Sequence, residues 1–261
     1  MSIAVLIPAR YASTRFPGKP LARLNCPDGR RRPLIQLTWE AATRVAGVDE
    51  IHVLTDDARI RDAAESFGAS VFMTSANCQN GTERCAEIVR QLDAEIIVNI
   101  QGDAPLTPPW FVEALINEMR HDPFAQVTTP ILRLDVEGYE HFAEDRRNGR
   151  VGGTTAVFDD SSDALYFSKE IIPWLGADTD PAHPPVWHHV GVYAYRRNAL
   201  EAYCDAPRGR LETIEGLEQL RFLEQGQSIR CVEVQAHGHP FWELNNPEDV
   251  TRIEAALRKI S

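Results

Sequence analysis

Three cations, Arg10, Arg15 and Lys19, stand in one short run, Ile7-Pro8-Ala9-Arg10-Tyr11-Ala12-Ser13-Thr14-Arg15-Phe16-Pro17-Gly18-Lys19-Pro20, with the hydroxyls of Ser13 and Thr14 between them. An Arg fork grips two phosphate oxygens at once and Lys acts as a mobile point charge, so the set suits a polyphosphate and the charge that develops when it is cleaved. The run has neither the Walker A order nor G-x-G-x-x-G. Incidental charge on a solvated loop is the competing reading. It weighs less here because 27 basic residues stand against 38 acidic ones, and cations gathered in one place are then no part of a general basic face.

A second constellation is Val98-Asn99-Ile100-Gln101-Gly102-Asp103-Ala104-Pro105. A carboxylate just after a buried strand and a Gly lies at the sheet's carboxyl edge, where Asp103 can hold a Mg²⁺ ion bridging phosphates. Alone, such an Asp is more often a turn former; the cationic loop on the same edge reverses that weighting. Asn80-Gly81-Thr82-Glu83-Arg84 opens a helix and offers N–H groups to a base edge or an anion, or else is a simple cap. His188 and His189 point to opposite faces of a strand, which argues against a metal pair; His189 with Tyr193, on the same parity, could line a polar pocket. Glu212 and Glu215, three apart on a helix, either form a solvated face or accept hydrogen bonds from a polyol.

The elements that must position these groups read as an α/β protein. Apolar runs at residues 3–8, 51–55, 71–73 and 95–100 alternate with amphipathic stretches at 33–45, 56–67 and 81–92, the pattern of β-α units and a mainly parallel sheet, with Asp56 as a cap. Beyond residue 127 the pattern loosens. Strands are expected at 127–132, 154–158, 190–195 and 229–234, a strong helix at 211–224 and a closing helix at 247–257. Residues 135–150 and 176–185 read as loops or a lid. The expectation is a single domain with a smaller inserted substrate and subunit-contact region at about 135–195.

A net charge of -11 argues against nucleic acid or an anionic membrane as the main partner. Five cysteines without C-x-x-C spacing favour reduced thiols over a disulfide framework or a zinc site. No run approaches a membrane span and no secretory leader opens the chain, so a cytoplasmic protein is expected.

Taken in order, these segments resemble the 3-deoxy-manno-octulosonate (Kdo) cytidylyltransferase, or CMP-Kdo synthetase, family. The matching text is residues 7–20, 80–84, 98–105, Ala164-Leu165-Tyr166-Phe167-Ser168-Lys169 with Ile172-Pro173-Trp174, residues 189–193 and 211–221. The resemblance implies a Rossmann-like nucleotidyltransferase fold, a homodimer, and Mg²⁺-dependent transfer of CMP from CTP to an acidic 3-deoxy sugar with release of pyrophosphate, in lipopolysaccharide or capsule assembly. Carried over residue by residue, Arg10, Ser13, Arg15 and Lys19 hold the CTP phosphates, and Pro8, Ala9, Asn80, Gly81 and Thr82 face the nucleoside. Asp103 binds Mg²⁺, and Gln101, Lys169, His189, Tyr193, Glu212 and Glu215 surround the sugar.

The chain departs from the family at Asn245, where the family has a second metal carboxylate, at Thr155 for Lys, Lys169 for Arg, Asn80 for Ser and Ala104 for Glu. An amide oxygen can still ligate Mg²⁺ but brings no charge. These changes cluster on the metal and sugar side. The alternatives are therefore a modified Kdo, a nine-carbon ulosonic acid, or a weakened protein that only binds CTP or a sugar nucleotide.

Overall fold

The computed structural model describes residues 1–13, 15–150, 153–176 and 178–260, so Thr14, the second hydroxyl of the first loop, lies outside the described residues. The chain runs β1 (Ile3–Pro8), β2 (Arg23–Asn25), β3 (Arg31–Pro33), α1 (Leu34–Ala42), β4 (Glu50–Thr55), α2 (Ala58–Ser66), β5 (Ser70–Met73), α3 (Gly81–Ile88), β6 (Ile96–Ile100) and α4 (Pro109–His121). It continues through β7 (Val127–Arg133), α5 (Val136–Arg147), β8 (Thr154–Phe158), β9 (Ala164–Ser168), β10 (Trp187–His189) and β11 (Val192–Arg196). It closes with α6 (Arg197–Asp205), α7 (Arg210–Glu215), α8 (Leu220–Glu224), β12 (Arg230–Glu233) and α9 (Asp249–Lys259).

Two compact units emerge. The first joins Met1–Glu113, Val192–Cys204 and Ala236–Ser261; the second joins Ala114–Gly191 and Asp205–Gln235. The part set apart from the first unit is thus larger than the 135–195 insertion expected from sequence, and comes from two stretches of chain.

In the first unit the strand order is β5-β4-β1-β6-β11, all parallel except β11, which is antiparallel to β6. β1 and β6 are buried along their whole length, as unbroken apolar runs in a parallel sheet require. From β1 the chain crosses to β4 and β5, then returns to place β6 on the other side of β1. This reversal makes the carboxyl ends of β1 and β6 a topological switch point, the place where open α/β sheets bind ligands. Both chemistry-bearing segments follow these two strands.

Local signals explain the helices. The Asp57 carboxylate accepts from Arg59 N–H at 2.9 Å and caps α2, so the cap is one residue later than the expected Asp56. Gly68, at φ 91°, follows its end. Leu34, Leu37, Leu106, Leu244, Ile253 and Leu257 form an apolar cluster that joins α1 and α9 to the β2–β3 hairpin, which carried no clear sequence signal.

The second unit has the order β12-β7-β10-β8-β9, with β12 parallel to β7 and the other pairings antiparallel. Three expectations change here. Residues 135–150, read as a loop, contain α5, whose N-terminus is capped by the Asp135 carboxylate accepting from Gly138 N–H at 2.8 Å; its Phe142 packs with Leu134 and Val186. The expected strand 190–195 starts two residues later, as β11 (Val192–Arg196), and His188 and His189 lie on a separate strand before it, β10 (Trp187–His189). The expected helix 211–224 is also two, because Gly216 adopts φ 63° and ends α7.

Candidate active site

The loop after β1 is built around Tyr11. Its carbonyl accepts from Gly18 N–H at 2.9 Å and from Ser13 N–H at 3.0 Å, closing the turn that carries Arg15. The guanidinium carbon of Arg59, on α2, lies 3.4 Å from the centre of the Tyr11 ring. The ring also leaves little room at residue 18, where a Cβ would stand 3.0 Å from it, and φ is 71°. Gly18 is needed for both reasons. Arg10, exposed, donates to the Gln79 carbonyl at 3.3 Å and so reaches the start of α3. The Ser13 hydroxyl accepts from Phe16 N–H at 3.4 Å.

β6 brings Gln101, Gly102 and Asp103 to the same edge. Gly102 N–H donates to the Pro8 carbonyl at 3.1 Å, and Ala9 N–H donates to the Leu54 carbonyl at 2.8 Å, so the ends of β1, β4 and β6 are tied together. Lys19 donates to the Asp103 carboxylate in a half-buried ion pair. The predicted phosphate cation and the predicted metal carboxylate therefore meet directly. Sequence reasoning missed the third member of this group, Glu243. Leu244, fully buried, donates its N–H to the Asp103 carbonyl at 2.9 Å and holds its two neighbours beside the ion pair. The Asn245 carbonyl oxygen accepts from Arg15 Nη2 at 3.1 Å, and the Asn245 side chain is also hydrogen-bonded to Glu243. Burial and the charge of Asp103 push the Glu243 carboxyl above its usual range, while Lys19, Asn245 and Arg15 pull it back.

Hard oxygen donors such as the carboxyl groups of Asp103 and Glu243 are what Mg²⁺ takes, so the residues present fit that ion. Among the described residues no group of three or more His, Cys, Asp and Glu side chains is arranged to hold a metal. A site here would be completed by phosphate oxygens and water, as Mg²⁺ commonly is.

At the start of α3 the Asn80 side chain caps the helix by accepting from Glu83 N–H at 2.7 Å, and its amide donates to the Tyr203 hydroxyl at 3.2 Å. Gln101 lies over Gly81 so closely that a Cβ there would stand 2.6 Å from its amide nitrogen and 3.1 Å from the Pro8 ring. Pro8, Gly81 and Gln101 therefore share one surface. Thr82 departs from its expected role. It is buried and its hydroxyl is 2.9 Å from the Tyr195 hydroxyl, which turns the side chain inward and leaves its backbone as the part able to face a nucleoside. Tyr193 is also buried, stacked on Tyr195 with ring centres 5.8 Å apart.

The second unit holds the other residues expected at the sugar, and separates them by role. Glu215 accepts from Ser168 Oγ at 2.8 Å and from Lys169 N–H at 3.1 Å, while the Lys169 amine reaches Gly216. This half-buried group can accept from a polyol. Glu212 differs, being 1% exposed with both oxygens taken by the Arg221 guanidinium at 2.7 Å and one by Gly209 N–H at 3.1 Å. The bidentate pair makes it a structural brace of α7 and α8 instead of a sugar ligand.

His189 is corrected likewise. Its Nε2 lies 3.0 Å from the Thr129 hydroxyl and its Nδ1 3.2 Å from that of Thr154, with the Phe167 ring 4.8 Å away. Burial holds the imidazole neutral, its pKa pushed down to about 3. It is a satisfied core histidine, on a different strand and in a different unit from Tyr193. Thr155, in the place of a family Lys, is buried too, and its hydroxyl donates to the Glu170 carbonyl at 2.6 Å.

Comparison with known proteins gives the family. Residues 4–229 match the family model described as cytidylyltransferase. The chain is 42% identical to the 3-deoxy-manno-octulosonate cytidylyltransferase of Maricaulis maris, across 98% of this chain and 97% of that one. It is also 42% identical to the 8-amino-3,8-dideoxy-manno-octulosonate cytidylyltransferase of Shewanella piezotolerans, across 98% and 99%. A solved CMP:2-keto-3-deoxy-manno-octonic acid synthetase in complex with CTP superposes with a TM-score of 0.85 at 35% identity, covering all of both chains. The loop after β1, the Asp after β6 and similarity along the full length converge: this chain belongs to the Kdo cytidylyltransferase family.

Proposed function

We propose that the protein transfers CMP from CTP to a 3-deoxy-ulosonic acid of the Kdo type and releases pyrophosphate. The observation that carries this reading is the meeting of Lys19, Arg15 and Asp103 at the switch point, beside the surface made by Pro8, Gly81 and Gln101. Arg10, Arg15 and Lys19 bind the triphosphate and set its α-phosphorus in line with the anomeric hydroxyl oxygen of the sugar. As that oxygen forms its bond to phosphorus and gives up its proton to solvent, the bond to the β-phosphate oxygen breaks and negative charge moves onto pyrophosphate. Lys19 and Arg15 stabilise that charge, already oriented by their bonds to Asp103 and Asn245. Asp103 would hold Mg²⁺, which supplies Lewis-acid stabilisation of the phosphate oxygens. Glu215 accepts from sugar hydroxyls, and Lys169 pairs with the sugar carboxylate.

The relatives are named for Kdo and for its 8-amino derivative, so both acids belong in the test. Mass spectrometry of products from CTP with Kdo, 8-amino-Kdo and a nine-carbon ulosonic acid separates the readings. A CMP adduct of one of the two octulosonates is expected. An adduct of the nine-carbon acid alone, or CTP binding without any adduct, would replace the proposal. A reaction drawing on CTP and a homodimeric cytoplasmic enzyme form part of the same proposal; no helix among the described residues is long and apolar enough to cross a membrane.

A further inference from the structure

The reaction just proposed uses Asp103 and leaves its acidic neighbour, Glu243, without a part. We infer that Glu243, and not Asn245, supplies the second negative charge of the divalent-cation site at Asp103. The inference rests on the CMP-transfer reading and adds a residue to it.

The hydrogen bonds of Asn245 carry the argument. An amide ligates a hard cation only through its carbonyl oxygen, and that oxygen accepts from Arg15 Nη2 at 3.1 Å. A metal ion there would have to displace a guanidinium and would gain no charge in return. Glu243 differs on both counts. Its carboxyl brings a negative charge once a cation binds, and it lies within electrostatic reach of Asp103, Lys19 and Arg15, the charged groups that face it, with Asn245 hydrogen-bonded to it. Its position is fixed, because Leu244 is fully buried and bonded to the Asp103 backbone at 2.9 Å. Two carboxylates so placed repel each other unless a cation lies between them. Lys19 pairs with Asp103 and attracts Glu243 as well, but its single positive charge cannot balance two carboxylates, whereas a divalent ion can. In this arrangement Asn245 bridges Glu243 and Arg15, orienting a ligand on one side and a phosphate-binding cation on the other.

The test is Mn²⁺ titration of the whole chain, followed by the electron paramagnetic resonance signal of unbound Mn²⁺, with an α,β-methylene CTP analogue present. Binding of the analogue in EDTA is measured separately by calorimetry. Glu243→Gln is expected to weaken Mn²⁺ about tenfold or more, as loss of a site carboxylate does, while binding the analogue in EDTA as well as the parent chain. Unchanged Mn²⁺ affinity in that variant would overturn the inference and leave CMP transfer standing. Loss of analogue binding in EDTA would overturn it as well, by making Glu243 a support of the nucleotide site. Thermal unfolding in EDTA separates ligation from folding. Removing a carboxylate that repels Asp103 leaves Tm at or above the parent value; a fall of about 4 °C or more makes Glu243 a structural partner of Lys19 and Arg15, against the inference. If the parent chain itself binds no CTP analogue, it is the proposed function that fails.

Discussion

Gly102→Ala tests whether the close approach of β1 and β6 sets the chemistry. A Cβ at residue 102 would stand 2.7 Å from the Pro8 carbonyl oxygen, 3.3 Å from Ala9 Cβ and 3.4 Å from Ile35 Cδ1. The nearest of these is backbone, and it also accepts the Gly102 N–H bond at 3.1 Å. Restoring ordinary contact, which begins near 3.4 Å, requires the two strand ends to part by about 0.7 Å. Overpacking of this kind costs about 1–3 kcal/mol, so Tm should fall by a few degrees to roughly 10 °C. Asp103 is the next residue, and Lys19 sits on the loop that Pro8 begins, so the same displacement opens the ion pair. A misplacement approaching 1 Å costs about 10²-fold in rate. Steady-state pyrophosphate release and differential scanning calorimetry on the same preparation read both effects. A variant with the parent Tm and kcat/KM would refute the claim that contact between Pro8 and Gly102 positions the site.

Other perturbations follow from the same geometry. Lys19→Ala removes a charge-stabilising donor and leaves Asp103 without its ion-pair partner; kcat should fall by about 10²–10³, and normal turnover would refute the assigned role. Arg59→Ala removes the cation stacked on Tyr11, an interaction of about 0.5–1 kcal/mol, so KM for CTP should rise roughly two- to fivefold with kcat retained; a loss confined to kcat would contradict a positioning role. His189 and His188 are held neutral in the fold, pushed down to about 3 and about 4 chiefly by burial, whereas an unfolded histidine titrates near 6.5. The unfolded chain therefore takes up protons that the folded chain refuses, and stability is complete above about pH 7 and lost progressively below it. At pH 5 His189 alone accounts for about 2 kcal/mol, a Tm lowered by roughly 4–8 °C from pH 7.5. His189→Gln should flatten this dependence, and an equally steep fall in the variant would assign it to other groups.

The first unit was the more legible in sequence because each of its elements carries its own signal. β1 and β6 are continuous apolar runs, and Gly68 stops α2 where a backbone at φ 91° demands it. The loop of Arg10, Arg15 and Lys19 could be read because like charges gathered in an acidic chain stand out. What could not be read depends on partners distant in sequence. Glu243 gains meaning only from Asp103, and Tyr11 only from Arg59 and Gly18. Glu212 and His189 carried the residue types of a sugar site, but Arg221 for the one and Thr129 with Thr154 for the other turn them into the core. α5 was taken for a loop because its polar, charged sequence shows little apolar periodicity, although Asp135 was there as its cap.

The central claim is that the groups gathered at the ends of β1 and β6 direct attack at the α-phosphorus of CTP. It is tested most directly by incubating the protein with CTP labelled at that phosphorus, Mg²⁺, and Kdo or 8-amino-Kdo, then following where the label goes. The account predicts that it passes into a sugar adduct in step with an equal quantity of pyrophosphate, and only when the sugar is present. Label remaining in CTP, or appearing as CMP at the same rate with and without sugar, would contradict it.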